Sequence, residues 1–310
     1  MDAPSDRAIR PWVLAVSCNK GGVGKTTVAS NLAIYLRALR EDLPILIVSL
    51  DDQRTLDRMF SIGALDRGAK NLKHAWAERS FSSVIRLGEY GVHYVPAPTD
   101  VSRLKARAGD PHALRRLIDH TEWGGIVILD TKSDLEALTK NAFQAADRIL
   151  VPIADHASLD EAAKVMRILE QSRIGADKAR VLLTLVDRRT KLGDPARPLV
   201  ETLEAAVAEN GWSRYETTIS RSPRVEMLNS GTDKPKSILH HGRGTAVHGQ
   251  LRALAEEVLV ELDASGRLAA PRPTRRAAAP RLKPSARTRK PKPKPPKSWA
   301  DELFGVFFNR

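Results

Sequence analysis

The stretch Lys20-Gly21-Gly22-Val23-Gly24-Lys25-Thr26-Thr27 constrains this chain more than any other. It follows an apolar run, Trp12 to Cys18, and precedes a segment with helical periodicity, Val28 to Leu39. Strand, glycine-rich turn and helix in that order form the setting of a phosphate-binding loop. Glycines let successive backbone N–H groups converge on an anion, and the start of the helix adds unpaired N–H groups and the positive end of its dipole. Residues Gly21, Gly22, Val23, Gly24, Lys25, Thr26 and Thr27 are the candidate cradle. Lys25 would reach the β- and γ-phosphates, and Thr26 would offer its hydroxyl to Mg²⁺. A bare glycine-rich turn with solvent-facing lysines is the competing reading, and the flanking strand and helix weigh against it.

Further apolar runs extend the pattern. Pro44 to Leu50 reads as a strand buried on both faces and ends in Asp51-Asp52-Gln53. In an α/β fold ligands sit at the carboxyl ends of strands, so Asp51 is placed to orient a water beside a γ-phosphate. A helix N-cap or turn role is its simpler alternative. Gly125 to Thr131 is a second such strand, and its Asp130 is positioned to hold Mg²⁺ through water. Gly91 to Pro96 and Ala179 to Asp187 read as strands, and Leu159 to Gln171 and Thr245 to Leu262 as helices. Residues 55–90 show no clean period. The expected fold is α/β, a doubly wound and mostly parallel sheet of P-loop NTPase type, in one domain over 10–263.

Composition separates that body from a C-terminal tail. Of the 310 residues 42% are apolar, which suffices for a globular core, and the net charge is +13. Residues 264–310 carry 13 Lys+Arg, 2 Asp+Glu and eight prolines, so nearly all of the charge lies in this tail. The stretch 264–297 is expected to be a disordered linker rich in Pro, Lys and Arg, suited to DNA backbone or an anionic surface, or simply to solubility. Residues 298–310 change again: Trp299, Leu303, Phe304 and Phe307 would share one face of a short amphipathic peptide. Residues 1–9 are expected to be flexible. They show no apolar signal region, and no run spans a bilayer, so the expected location is the cytoplasm. The single cysteine, Cys18, rules out an intrachain disulfide and argues against iron–sulfur chemistry. His240, His241 and His248 show no zinc-ligand spacing and read as surface residues.

The loop departs from the common phosphate-binding pattern, because Asn19 stands where glycine is usual and a second lysine, Lys20, stands at the entrance. In this it resembles the deviant Walker A loop of the ParA/MinD superfamily. The stretch from Ser133 to Ile153 is also similar to ParA, matching at Thr139, Asn141, Ala142, Ala145, Ala146, Asp147, Val151 and Pro152. The family's Asp-x-Asp-Pro-Gln is Ser49-Leu50-Asp51-Asp52-Gln53 here, and its Pro-Pro after Asp-Thr is Lys132-Ser133. Asp187 to Leu192 resembles the family's Asp-x-Arg-Thr-x-Leu turn, and Ile219 to Arg224 its Ile-Pro-Arg-x-x-Arg.

The resemblance implies an ATPase that takes ATP and Mg²⁺. It makes Lys20 and Asp51 catalytic, Lys20 by reaching the partner subunit's nucleotide in an ATP-dependent homodimer. It makes Asp187 a base-pocket candidate, and Arg189, Arg221 and Arg224 candidate contacts to non-specific DNA. The implied role is positioning or segregating DNA or another large cargo on the nucleoid, with release on hydrolysis stimulated by an adaptor protein of ParB-like role. Two alternatives stay open: a MinD-like spatial regulator that touches membrane through the C-terminal peptide, and a DNA-binding scaffold with a degenerate ATPase site.

Overall fold

Within each apolar run, alternate side chains enter opposite layers, and this gives the sheet a core on both faces. Val13, Ala15, Leu46, Val48, Val127 and Leu129 belong to one buried cluster. Trp12, Leu14, Val16, Ile45, Ile47, Ile126 and Ile128 belong to the other. A strand with both faces covered needs apolar residues at every position, and so these runs lack the polar alternation of a half-exposed sheet.

The computed structural model describes residues 10–63, 68–102, 104, 108–187, 189–192, 197–229 and 234–266. In chain order, β1 (Trp12–Val16) leads through the glycine-rich loop into α1 (Lys25–Leu39) and β2 (Ile45–Ser49). Two short helices, α2 (Thr55–Phe60) and α3 (Leu72–Glu78), precede β3 (Arg86–Leu87) and β4 (His93–Val95). Then come α4 (Ala113–Asp119), β5 (Ile126–Asp130), α5 (Ala137–Ala145), β6 (Arg148–Ile153), α6 (His156–Gln171) and β7 (Ala179–Val186). The strands β8 (Lys191–Leu192) and β9 (Arg197–Pro198) pair with each other, and α7 (Leu199–Glu209), β10 (Arg214–Ser220), α8 (Pro223–Asn229), α9 (Ile238–His241) and α10 (Ala246–Ala264) close the series.

The main sheet runs β10-β7-β6-β1-β5-β2-β4-β3, and only β3 is antiparallel to its neighbour. This is the expected α/β arrangement. The register decides where the site falls. Val16 of β1 and Ser49 of β2 both pair with Asp130 of β5, so three strands end at one level. The amide of Leu50 donates to the Asp130 carbonyl at 2.9 Å, and that of Thr131 to the Val16 carbonyl at 3.2 Å. Three loops therefore leave the sheet side by side.

The elements differ from expectation at their ends and in the gaps. Helix α1 starts three residues before Val28, and α6 starts at His156 rather than Leu159. Asp155 explains the second difference: its side chain accepts the Ser158 amide, and the Ser158 hydroxyl returns to the Asp155 amide. Residues 55–90 hold α2, α3 and β3, elements too short to show a period. Helix α10 runs to Ala264, one residue past the expected domain end. The expected flexible 1–9, the 267–297 part of the linker and the peptide 298–310 lie outside the described residues. Among the described residues no helix is long and apolar enough to cross a membrane.

Candidate active site

The loop between β1 and α1 bends through two glycines in the left-handed region, Gly22 at φ 76° and Gly24 at φ 84°. A side chain at either position would be strained. Gly24 sits at the N-cap of α1, and no side chain caps the helix there. The first turn therefore offers backbone N–H groups and the positive end of its dipole to an anion.

Lys25 is buried, and its Nζ donates to the Lys20 carbonyl and to Ser133 Oγ, both at 2.6 Å. Burial pulls its ammonium below the ordinary lysine value, while Asp130 and Asp51 oppose that shift. Both acids identified from the sequence thus lie near the loop lysine.

Thr26 Oγ1 donates to Asp130 Oδ2 at 2.9 Å. Asp130 is fully buried, and its Oδ1 has no hydrogen-bond partner among the described residues. Burial pushes the carboxyl up to about 7, with the Thr26 bond pulling it down and Asp51 adding to the rise. An orphaned buried carboxylate oxygen beside a threonine hydroxyl is costly alone, and it fits a hard divalent cation that prefers oxygen donors. Among the described residues no group of three or more His, Cys, Asp or Glu side chains is arranged to hold a metal, so a cation here would rest on Thr26, Asp130 and ligands from outside the chain. His240 bonds Ser237 and His248 bonds Tyr35.

The two flanking loops meet each other. Asp51 is half-buried, and its Oδ1 accepts the Asp52 amide at 2.7 Å. Burial raises its carboxyl above the ordinary value, Asp52 adds to the rise, and Lys132 works against it. Lys132 Nζ lies 3.5 Å from Asp52 Oδ2. At the entrance of the glycine-rich loop, Lys20 Nζ pairs with both carboxylate oxygens of Asp155 at 2.7 and 2.6 Å. Against the upward push of burial, Lys20 and Ser158 hold that carboxyl below its ordinary value. Asn19, the other departure in this loop, donates to Glu161 at 2.6 Å.

A cavity of about 270 Å³ opens beside the loop, lined by Gly22, Gly24, Thr27, Val28, Leu185 and Ser220 among others. Thr184 Oγ1 donates to the Val23 carbonyl at 2.9 Å and fixes the cavity wall to the loop. Leu185, next in the chain, has φ 52°, a strained value for a leucine. Asp187, expected in a base pocket, instead accepts the Arg189 amide at 2.9 Å. It is not among the residues that line the cavity. Arg189 is exposed, and so is Arg224. Arg221 is exposed and pairs with Glu226 at 2.9 Å.

The sequence reading named Lys132-Ser133 only as a departure from the family pattern, without their contacts to Asp52 and Lys25, and it missed Asp155 and the apolar cavity wall from β7, β10 and α10. Asp155 could have been found, since it closes the run Val151-Pro152-Ile153 at a strand's carboxyl end, as Asp51 and Asp130 do.

Comparisons with known proteins agree with this geometry. A family model described as an AAA domain matches residues 12–174. The chromosome-partitioning ATPase Soj of Thermus thermophilus is 31% identical over 256 residues, 80% of this chain and 96% of that protein. The chromosome partitioning protein ParA of Caulobacter vibrioides is 30% identical over 227 residues, 69% of this chain and 82% of that one. Among solved structures, cobyrinic acid a,c-diamide synthase from Mycobacterium smegmatis, with bound ATP analogue and magnesium, aligns with a TM-score of 0.62. It is 21% identical and covers 82% of this chain and 97% of its own, a likeness of fold. With its two-lysine loop, the acids at the ends of β2 and β5 and these relatives, the chain belongs to the ParA/MinD superfamily of P-loop ATPases, among the ParA-like partition proteins.

Proposed function

We propose that this chain hydrolyses ATP, dimerises in its ATP-bound form, binds DNA without sequence preference and so positions DNA or another large cargo. The observation that carries the reading is the Thr26–Asp130 pair with its orphaned oxygen, set beside the buried Lys25 at the start of α1. That arrangement holds a buried carboxylate oxygen that the described residues do not satisfy. Thr26 and Asp130 would hold Mg²⁺, the Asp through water, and the bound ion would neutralise charge on the phosphate oxygens. Residues Gly21 to Thr27 would cradle the phosphates, and Lys25 would exchange its bonds to Lys20 and Ser133 for phosphate oxygens. Asp51 would orient the attacking water. The base would occupy the apolar cavity between the loop, β7 and α10, with Asp187 outside its wall.

Lys20 would complete the site of a second copy. Arg189, Arg224 and the basic tail would contact DNA backbone, and Arg221 would join them by leaving Glu226. Hydrolysis, stimulated by an adaptor of ParB-like role, would end the DNA-bound state, and the chain would work in the cytoplasm on the nucleoid.

The test is ATP turnover and nucleotide binding by the full chain and by Lys25→Ala, with and without DNA. The reading expects turnover in the parent chain and loss of nucleotide binding in the variant. A parent chain without turnover under either condition would turn the reading toward a DNA-binding scaffold with a degenerate site.

A further inference from the structure

Lys132 and Asp52 stand on neighbouring loops at positions where the family pattern carries proline, which has no charge to offer. Here the two side chains face each other, Nζ to Oδ2 at 3.5 Å. The pairing is a consequence of the sheet. Ser49 and Asp130 are register partners on adjacent parallel strands, so the residues just beyond them leave at one level.

The loop that carries Lys132 is fastened to the phosphate-binding loop on both sides. Two residues earlier, Asp130 accepts the Thr26 hydroxyl. One residue later, Ser133 accepts Lys25 Nζ at 2.6 Å. A flexible lysine side chain rooted between those contacts has the site's mouth within its reach. At present its ammonium is held aside by a carboxylate on the opposite loop. The side chains of Lys132 and Asp52 are 34% and 25% exposed, so solvent screens the pair. Such screened pairs are weak. A terminal phosphoryl group carries more charge than one carboxylate and accepts stronger charge-assisted hydrogen bonds.

We propose that Lys132 is a further phosphate-binding residue, which Asp52 holds off the site until a triphosphate enters and draws it across. Asp52 acts through Lys132 and is a positioning residue. The exchange distinguishes ATP from ADP, because ADP lacks the terminal group that competes with Asp52. The inference rests on the ATPase reading above and names a determinant of its nucleotide preference.

Calorimetric titration of the full chain with Mg²⁺ and either ADP or a non-hydrolysable ATP analogue tests this. Lys132→Ala weakens the analogue about tenfold and leaves ADP within about twofold, the scale of one charge-assisted bond removed. Lys132→Arg keeps most of the affinity. Asp52→Asn, which releases the ammonium, strengthens the analogue about two- to fivefold without moving ADP. The double variant Asp52→Asn with Lys132→Ala matches Lys132→Ala alone. Thermal unfolding without nucleotide checks that each variant is folded, and an unfolded Lys132→Ala leaves the decision to the Asp52→Asn and Lys132→Arg titrations. Equal losses for ADP and the analogue in Lys132→Ala, or a weaker analogue in Asp52→Asn, overturn the proposal while the ATPase reading stands. A parent chain that binds neither nucleotide overturns both.

Discussion

The ammonium of Lys20 sits between the two carboxylate oxygens of Asp155, at 2.7 and 2.6 Å. The lysine proposed to reach a partner's nucleotide is thus engaged within its own chain, and under that proposal it must first leave Asp155. Both side chains are partly exposed, 30% and 48%, so the cost of leaving is modest, about 1 kcal/mol or less. Asp155→Asn weakens the hold while an amide oxygen can still cap α6. The expected result is ATP-dependent dimerisation at up to about fivefold lower protein concentration. Lys20→Ala spares nucleotide binding and removes the ATP-dependent dimer. Light scattering behind size exclusion reads both, and a Lys20→Ala chain that still dimerises with ATP would refute the assignment.

Asp130 makes stability depend on pH. Its carboxyl titrates near 7 in the folded chain and has an ordinary value of 3.8. Between those values the folded state holds the extra proton, so this group's stabilisation is present at low pH and is lost as pH rises through about 7. Asp130→Asn escapes the loss. In metal-free buffer at pH 8 it should melt higher than the parent by a few degrees, on the order of 1–3 kcal/mol. The gap should close as the buffer is taken toward pH 5. Scanning fluorimetry across that range decides, and a variant that melts below the parent at pH 8 would count against an unpaired buried charge.

Gly24 is needed for its backbone. Its φ of 84° lies where an alanine is strained, and an added Cβ would meet Leu185 Cδ1 at an ordinary 3.6 Å. Gly24→Ala should therefore lose about 1–2 kcal/mol from conformation, with no steric clash added. It should also weaken nucleotide binding, because the N–H groups of the first turn shift. Urea unfolding measures the first effect, and an unchanged midpoint would contradict the strain.

The tail gives a salt test. Helix α10 and its closing turn extend to Gly266, so truncation after that residue keeps the last helix whole. The removed segment contains all 13 of the basic residues that lie beyond residue 263. If it binds DNA phosphates, the slope of log affinity for DNA against log salt should flatten by about one for each phosphate no longer neutralised. Equal slopes for the full and truncated chains would place DNA binding on the folded body.

The phosphate loop, the strands β1, β2, β4, β5 and β7 and the two strand-end acids were legible because each is written in a short contiguous stretch. Glycines at fixed spacing and unbroken apolar runs carry their own geometry. The partners of the key side chains were not legible in this way. Lys20 meets Asp155 across 135 positions, and Lys25 meets Ser133 across 108. Those meetings depend on the spatial order of the strands, which a local pattern does not contain. Nor does the resemblance at Asp187 carry its local bonding: within the turn its carboxylate accepts the Arg189 amide. Elements of six or seven residues, such as α2 and α3, were hidden for want of length.

The hydrogen bond from Thr184 to Val23 has a consequence for the far side of the sheet. It couples the floor of the glycine-rich loop to the end of β7, and β7 pairs with β10 at the rim of the sheet. Arg221 and Arg224 come directly after β10. One side-chain link and two paired strands thus tie the position of the glycine-rich loop to that of the segment bearing these two arginines.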